Sequence, residues 1–107
     1  MITLSDLDIT VQELRLEQHR SAFTHHLARI VTAFGAIPDL PPDAVTATEL
    51  ARLRELADQT VDAIERRIDS DADDLAVQQQ LAGTIYEVRK RMEAVEVWFR
   101  HVASARD

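Results

Sequence analysis

The chain has 107 residues, of which 46% are hydrophobic and 29% charged, the composition of one globular domain rather than of a disordered segment. With 19 acidic against 12 basic residues the formal net charge is -7, which sets aside a phosphate backbone or an anionic membrane surface as the primary partner. No cysteine is present, so disulfides, thiolate nucleophiles and cysteine-held zinc are excluded, and 2 Gly and 3 Pro leave little turn material for a many-stranded sheet.

In chain order, Ile9, Leu16, Phe23, Ile30 and Ile37 recur every seven residues, with Leu27 and Phe34 filling the intermediate turns. This spacing predicts one long helix over residues 10–37 with an apolar face. Thr10 with Glu13 has the form of a capping box, and Ser5 with Asp8 offers an earlier start. Leu4, Leu7, Val11 and Leu14 make a second stripe offset from the first, so residues 1–9 read as a strap or an extra helical turn. Gly35 is placed to close the helix in a left-handed conformation, and Pro38, Pro41 and Pro42 cannot continue it.

Thr46 and Glu49 form a second capping box, and Leu50, Leu53, Ala57, Val61, Ile64 and Ile68 carry a helix over residues 46–68. The stretch DSDADD, Asp69 to Asp74, then makes a tight connection, with Ser70 or Asp71 as the expected cap of the next helix. Leu81, Ile85, Val88, Met92, Val95, Phe99 and Val102 mark a third helix over residues 71–104, and Trp98 widens its apolar face near the end. The expected fold is therefore all-α: one domain over residues 1–107, an elongated up-down-up three-helix bundle with coiled-coil-like packing.

In that fold the third helix overhangs and brings Val95, Trp98, Phe99 and Val102 near the connection over residues 37–45. Leu40 and Val45 could cover this cluster, and so could another subunit, because monomers seldom leave a large apolar patch open. The functional expectation is a non-enzymatic interaction, adaptor or regulatory bundle. It docks a partner or itself through apolar helix faces, as a homo-oligomer with a dimer favoured. No cofactor, nucleic acid or membrane partner is expected. No apolar run approaches ~20 residues, and no basic region precedes an apolar stretch at the start, so a soluble, cytoplasmic protein is the expectation.

Candidate chemistry centres on the histidines. His19 and His26 are seven apart, ~10 Å of helical rise, too far to share an ion on one helix, and His101 has no companion nearby in sequence. His19 and His26 are expected to pack at the edge of the core, whereas His25 points away from it. His25, Leu27, Phe34, Gly35 and Ala36 also stand at the offsets of the pattern H-x-L-K-G followed by F-G-A. Over these roughly twelve residues the stretch resembles the acceptor helix of histidine phosphotransfer domains. That resemblance implies His25 as an exposed phospho-acceptor within a helical bundle. Ala28 stands at the place of the lysine, Arg29 at that of the glycine, and Ile30 and Val31 replace small residues.

Asp69, Asp71 and Asp73 alternate like the first ligands of a calcium loop, which makes the Asp69–Asp74 turn a candidate divalent-ion switch. Asp74 stands where such a loop needs glycine, and Gln80 where it needs the bidentate glutamate. There is no glycine-rich phosphate loop, nucleophile with a base, or fixed carboxylate pair, so no catalytic residue is assigned.

Overall fold

A computed structural model describes residues 4–70 and 74–106. Four α-helices pack against one another: α1 (Leu4–Leu16), α2 (Arg20–Ala36), α3 (Ala47–Ser70) and α4 (Leu75–Arg106), with a single 3-10 turn, Ile37–Asp39, after α2. Among the described residues there is no strand. The all-α expectation therefore stands, but the bundle has four helices rather than three, because the expected 10–37 helix is two helices broken at residues 17–19.

The break changes which stripe is core. Leu7, Val11 and Leu14 are buried, and Leu4 packs beside them, so the offset stripe is the inward face of α1. Ile9 and Leu16, members of the seven-residue series, are 54% and 82% exposed. Beyond the break the series is inward again, with Phe23, Leu27, Ile30, Phe34 and Ile37 buried. Residues 4–9 are thus regular helix. Thr10 is not a cap: it is buried inside α1, and its hydroxyl donates to the Asp6 carbonyl at 2.8 Å.

Cross-helix pairs set the directions. Asp8 with Arg52, Gln12 with Gln59 and Gln18 with Arg67 ascend together, so α1 and α3 are parallel neighbours. Glu65 with Arg89 and Ile68 with Gln78 run in opposite senses, so α3 and α4 are antiparallel. Arg20 meets Asp74 near the starts of α2 and α4, while His26 reaches back to Glu13 on α1 and to Glu17 just after it. The helices therefore alternate up and down in chain order, while the order around the bundle is α1, α2, α4, α3. The α2–α3 connection crosses one end diagonally and contributes buried Val45.

Two of the helices, α3 and α4, start where side chains satisfy free amides. Thr46 and Glu49 form the expected box: the Glu49 amide donates to Thr46 Oγ1 at 3.1 Å, and the Thr46 amide to Glu49 Oε1 at 3.0 Å. Asp74, rather than Ser70 or Asp71, caps α4, its Oδ1 accepting from the Val77 amide at 3.1 Å. Gly35 is not a left-handed stop. No described glycine has positive φ, and the helix continues through Ala36. A β-carbon at Gly35 would collide with the Arg91 guanidinium, so the glycine lets α4 lay that side chain across α2.

At 32 residues, α4 is the longest element, and the molecule measures 52 × 22 × 19 Å. The distal half of α4 outruns α2 and packs on the 3-10 turn and the start of α3. One face of α4 is thereby committed to the core over nearly its whole length. The opposite face is left to solvent.

Candidate functional site

The outward face of α4 is built by helical spacing alone. Leu81, Val88, Met92, Val95 and Val102 point into the bundle and are buried. Residues about half a turn away must point out, and Gly83, Tyr86, Lys90, Glu93, Ala94, Val97 and His101 are all exposed. Tyr86 and Val97 are 64% and 53% exposed, two of the large side chains of this face left in solvent. From Tyr86 to His101, with Trp98 at its edge, this strip lines a shallow groove of about 690 Å³.

Of the four residues expected to form a contact, Val95 and Val102 are buried within the chain itself. Trp98 and Phe99 are half-buried and pack against the core, with Trp98 alone also reaching the outer groove. The connection covers this end of the bundle, Val45 being buried and Leu40 half-buried. Sequence reasoning singled out the distal half of α4 but did not name Tyr86, Val97 and Gly83, which share a 3-4 spacing on the face opposite the core stripe.

Lys90 and Glu93 sit in the middle of the strip. The Lys90 ammonium lies 5.9 Å from the Tyr86 ring centroid, so its stem runs along the apolar surface. Among the described residues neither Lys90 nor Glu93 joins an ion pair, in contrast to Arg89 with Glu65 and Arg91 with Glu87. Between residues 75 and 104, α4 carries four basic side chains, Arg89, Lys90, Arg91 and Arg100, against three acidic ones, Glu87, Glu93 and Glu96. The acidic surplus of the molecule lies elsewhere.

A second concavity, about 1020 Å³, runs between α1, α2 and the α2–α3 connection. Its wall is largely apolar, including Leu4, Ile9, Ala33 and Ile37, while His25, Arg29 and Glu13 stand among its polar groups. His25 is exposed there, one turn before Arg29. His26 faces another way: its Nδ1 is 3.7 Å from Glu13 Oε2 and its Nε2 is 3.9 Å from Glu17 Oε2, leaving a buried Nδ1 without a hydrogen-bond partner. The two rings lie 6.3 Å apart at 56°, so adjacent histidines on one helix serve different surfaces. His19 is the exposed residue at the N-terminus of α2, and His101 lies on the α4 strip.

No group of three or more metal-ligating side chains that could hold an ion is found among the described residues. Asp71–Asp73 of the candidate ion turn lie outside those residues, and Asp74 already caps α4 while pairing with Arg20 at 3.4 Å. No described helix is long and apolar enough to cross a membrane. Compared with protein families, with curated proteins and with solved structures, the chain matches none.

Proposed function

We propose that the chain is a non-enzymatic protein-interaction module, an adaptor or regulatory bundle that docks another polypeptide along the outward face of α4. The observation that carries this reading is the strip itself: Tyr86 and Val97 exposed on the face directly opposite the core, with Trp98 beside them. Aromatic and branched side chains on a rigid helix lose little conformational freedom when covered, which suits them as anchors.

A photoreactive side chain placed at Val97 and activated in the native host tests this. It is expected to yield a covalent protein adduct, whereas the same group at Asp62 on α3, 58% exposed among polar neighbours, is expected to yield none. Absence of any adduct from Val97 would remove the docking face.

A second reading, phosphotransfer at His25, is favoured by one arrangement. The exposed imidazole shares a groove with the Arg29 guanidinium one turn on, a cation suited to phosphoryl oxygens. Incubation with an acyl phosphate is then expected to give an acid-labile label on the wild-type chain and none on His25→Gln. A wild-type chain that stays unlabelled ends this reading.

A further inference from the structure

We infer that the polypeptide docking on α4 is a second copy of this chain, its α4 lying antiparallel to the first about a two-fold axis between positions 91 and 92. The inference rests on the reading of α4 as a docking face and names its occupant.

The first argument is spacing. Gly83, Tyr86, Lys90, Glu93 and Val97 follow steps of three, four, three and four along the exposed face, the rhythm of a seam between two helices. From Tyr86 to Val97 the steps read four, three, four, the same in either direction. Reversing the helix about the midpoint therefore lays Tyr86 on Val97 of the second copy and Lys90 on Glu93 of the second copy. A two-fold contact must be self-complementary in this way, since the same patch is used twice.

Charge then selects the direction. In a parallel arrangement Lys90 would face Lys90 and Glu93 would face Glu93, two like-charge contacts at the centre of the seam. Reversed, the same residues make two opposite-charge contacts with apolar contacts beyond them. Such a central polar pair fixes register at some cost in strength. Both side chains are exposed and outside any ion pair of their own chain among the described residues, so both are available. The net charge of -7 on each copy works against association at long range, but at the contact itself the basic and acidic groups of α4 nearly balance.

Gly83 supplies the third argument. Glycine inside a helix costs about 1 kcal/mol relative to alanine. Nothing of this chain lies within 4 Å of where its β-carbon would stand, so the fold of one copy does not call for it. In the reversed register Gly83 falls opposite Arg100 of the second copy, the bulkiest side chain brought onto that end of the seam, and the missing side chain leaves it room.

A strip ~27 Å long and one helix wide is smaller than a standard stable interface, so a weak dimer that dissociates on dilution in the micromolar range is expected. Sedimentation equilibrium of the purified chain should show the mass doubling as concentration rises. Lys90→Glu and Glu93→Lys should each weaken dimerisation about tenfold or more, because symmetry applies each repulsion twice, and the double variant should recover to within about threefold of wild type. Helical circular dichroism should be unchanged, since both positions are exposed.

Register is read independently by mixing Lys90→Cys with Ala94→Cys chains, the introduced thiols being the only ones. The mixed disulfide should form faster than either like pair. A single-chain mass at every concentration overturns the inference. So does a dimer indifferent to the charge swaps, or a Lys90→Cys like pair that outruns the mixed one. If the chain stays single while the photoreactive Val97 still captures a different protein, the second copy is overturned and the docking face survives; if both fail, both fall.

Discussion

Replacing Phe34 with alanine is expected to cost about 3–5 kcal/mol of folding stability, the largest loss from any single truncation in α2. Phe34 is fully buried and heads the largest side chains of the core, so its removal takes apolar contact from the surrounding helices and leaves a void that a close-packed interior fills only in part. A domain of this length is stable by about 5–15 kcal/mol in total, and each kilocalorie moves the melting temperature by about 4–8 °C. A fall of roughly 12–40 °C is therefore expected. Urea titration should show a lower midpoint at an unchanged slope, since the surface exposed on unfolding hardly differs. Ile9→Ala is the informative control. Ile9 belongs to the same seven-residue series by spacing but is 54% exposed, and its truncation should stay within about 0.5 kcal/mol. Equal losses at the two positions would mean that α1 does not show its offset stripe to the core.

That contrast marks what could be read from the sequence and what could not. The helical class, the second helix with its Thr46–Glu49 box and the core stripe of α4 follow from side-chain chemistry and period alone, and each is a local property. The break at residues 17–19 is not local. It contains no glycine or proline, so no residue there forbids helix, and the series from Ile9 to Ile37 runs through it undisturbed. The one trace is the change of phase between Leu4, Leu7, Val11 and Leu14 and the stripe that follows. Gly35 misled for a related reason. Both its possible uses, a left-handed stop and a close approach, favour glycine, and only the position of Arg91 on another helix decides between them.

The outward strip of α4 shows the same division. Trp98 and Phe99 announced an apolar end of α4, because aromatic residues are conspicuous in a chain with 5% of them. Which flank of that end faces out depends on α3, the 3-10 turn and Val45, none of which helical period can place. With these in position Val95 and Val102 are buried in the core, and the large side chains left exposed on this helix are instead Tyr86 and Val97. His25 is the converse case: its exposure follows from being off the apolar stripe, so a one-helix argument sufficed.

The break itself leads to the second large effect. Arg67, near the end of α3, donates from Nη1 to the Gln18 carbonyl at 2.9 Å, and its guanidinium lies 5.3 Å from the Phe23 ring centroid. One planar cation therefore holds the corner between α1 and α2 and covers the first buried ring of α2. A hydrogen bond to a charged group contributes about 1.5–3 kcal/mol, and a cation over an aromatic face about 0.5–1 kcal/mol. Arg67→Ala is accordingly expected to lose about 2–4 kcal/mol. Lysine should recover less than about half of this, because an ammonium cannot both donate to the carbonyl and lie flat on the ring. Hydrogen exchange separates this account from a general loosening. The corner anchors α1, so amides of α1 should lose protection before those of α3 and α4, which remain packed on each other. Uniform loss across all four helices would mean that Arg67 acts only through global stability. The turn at 17–19 would then owe its place to the burial of Leu14 and Phe23 on either side of it, rather than to the cation that donates to the corner's carbonyl.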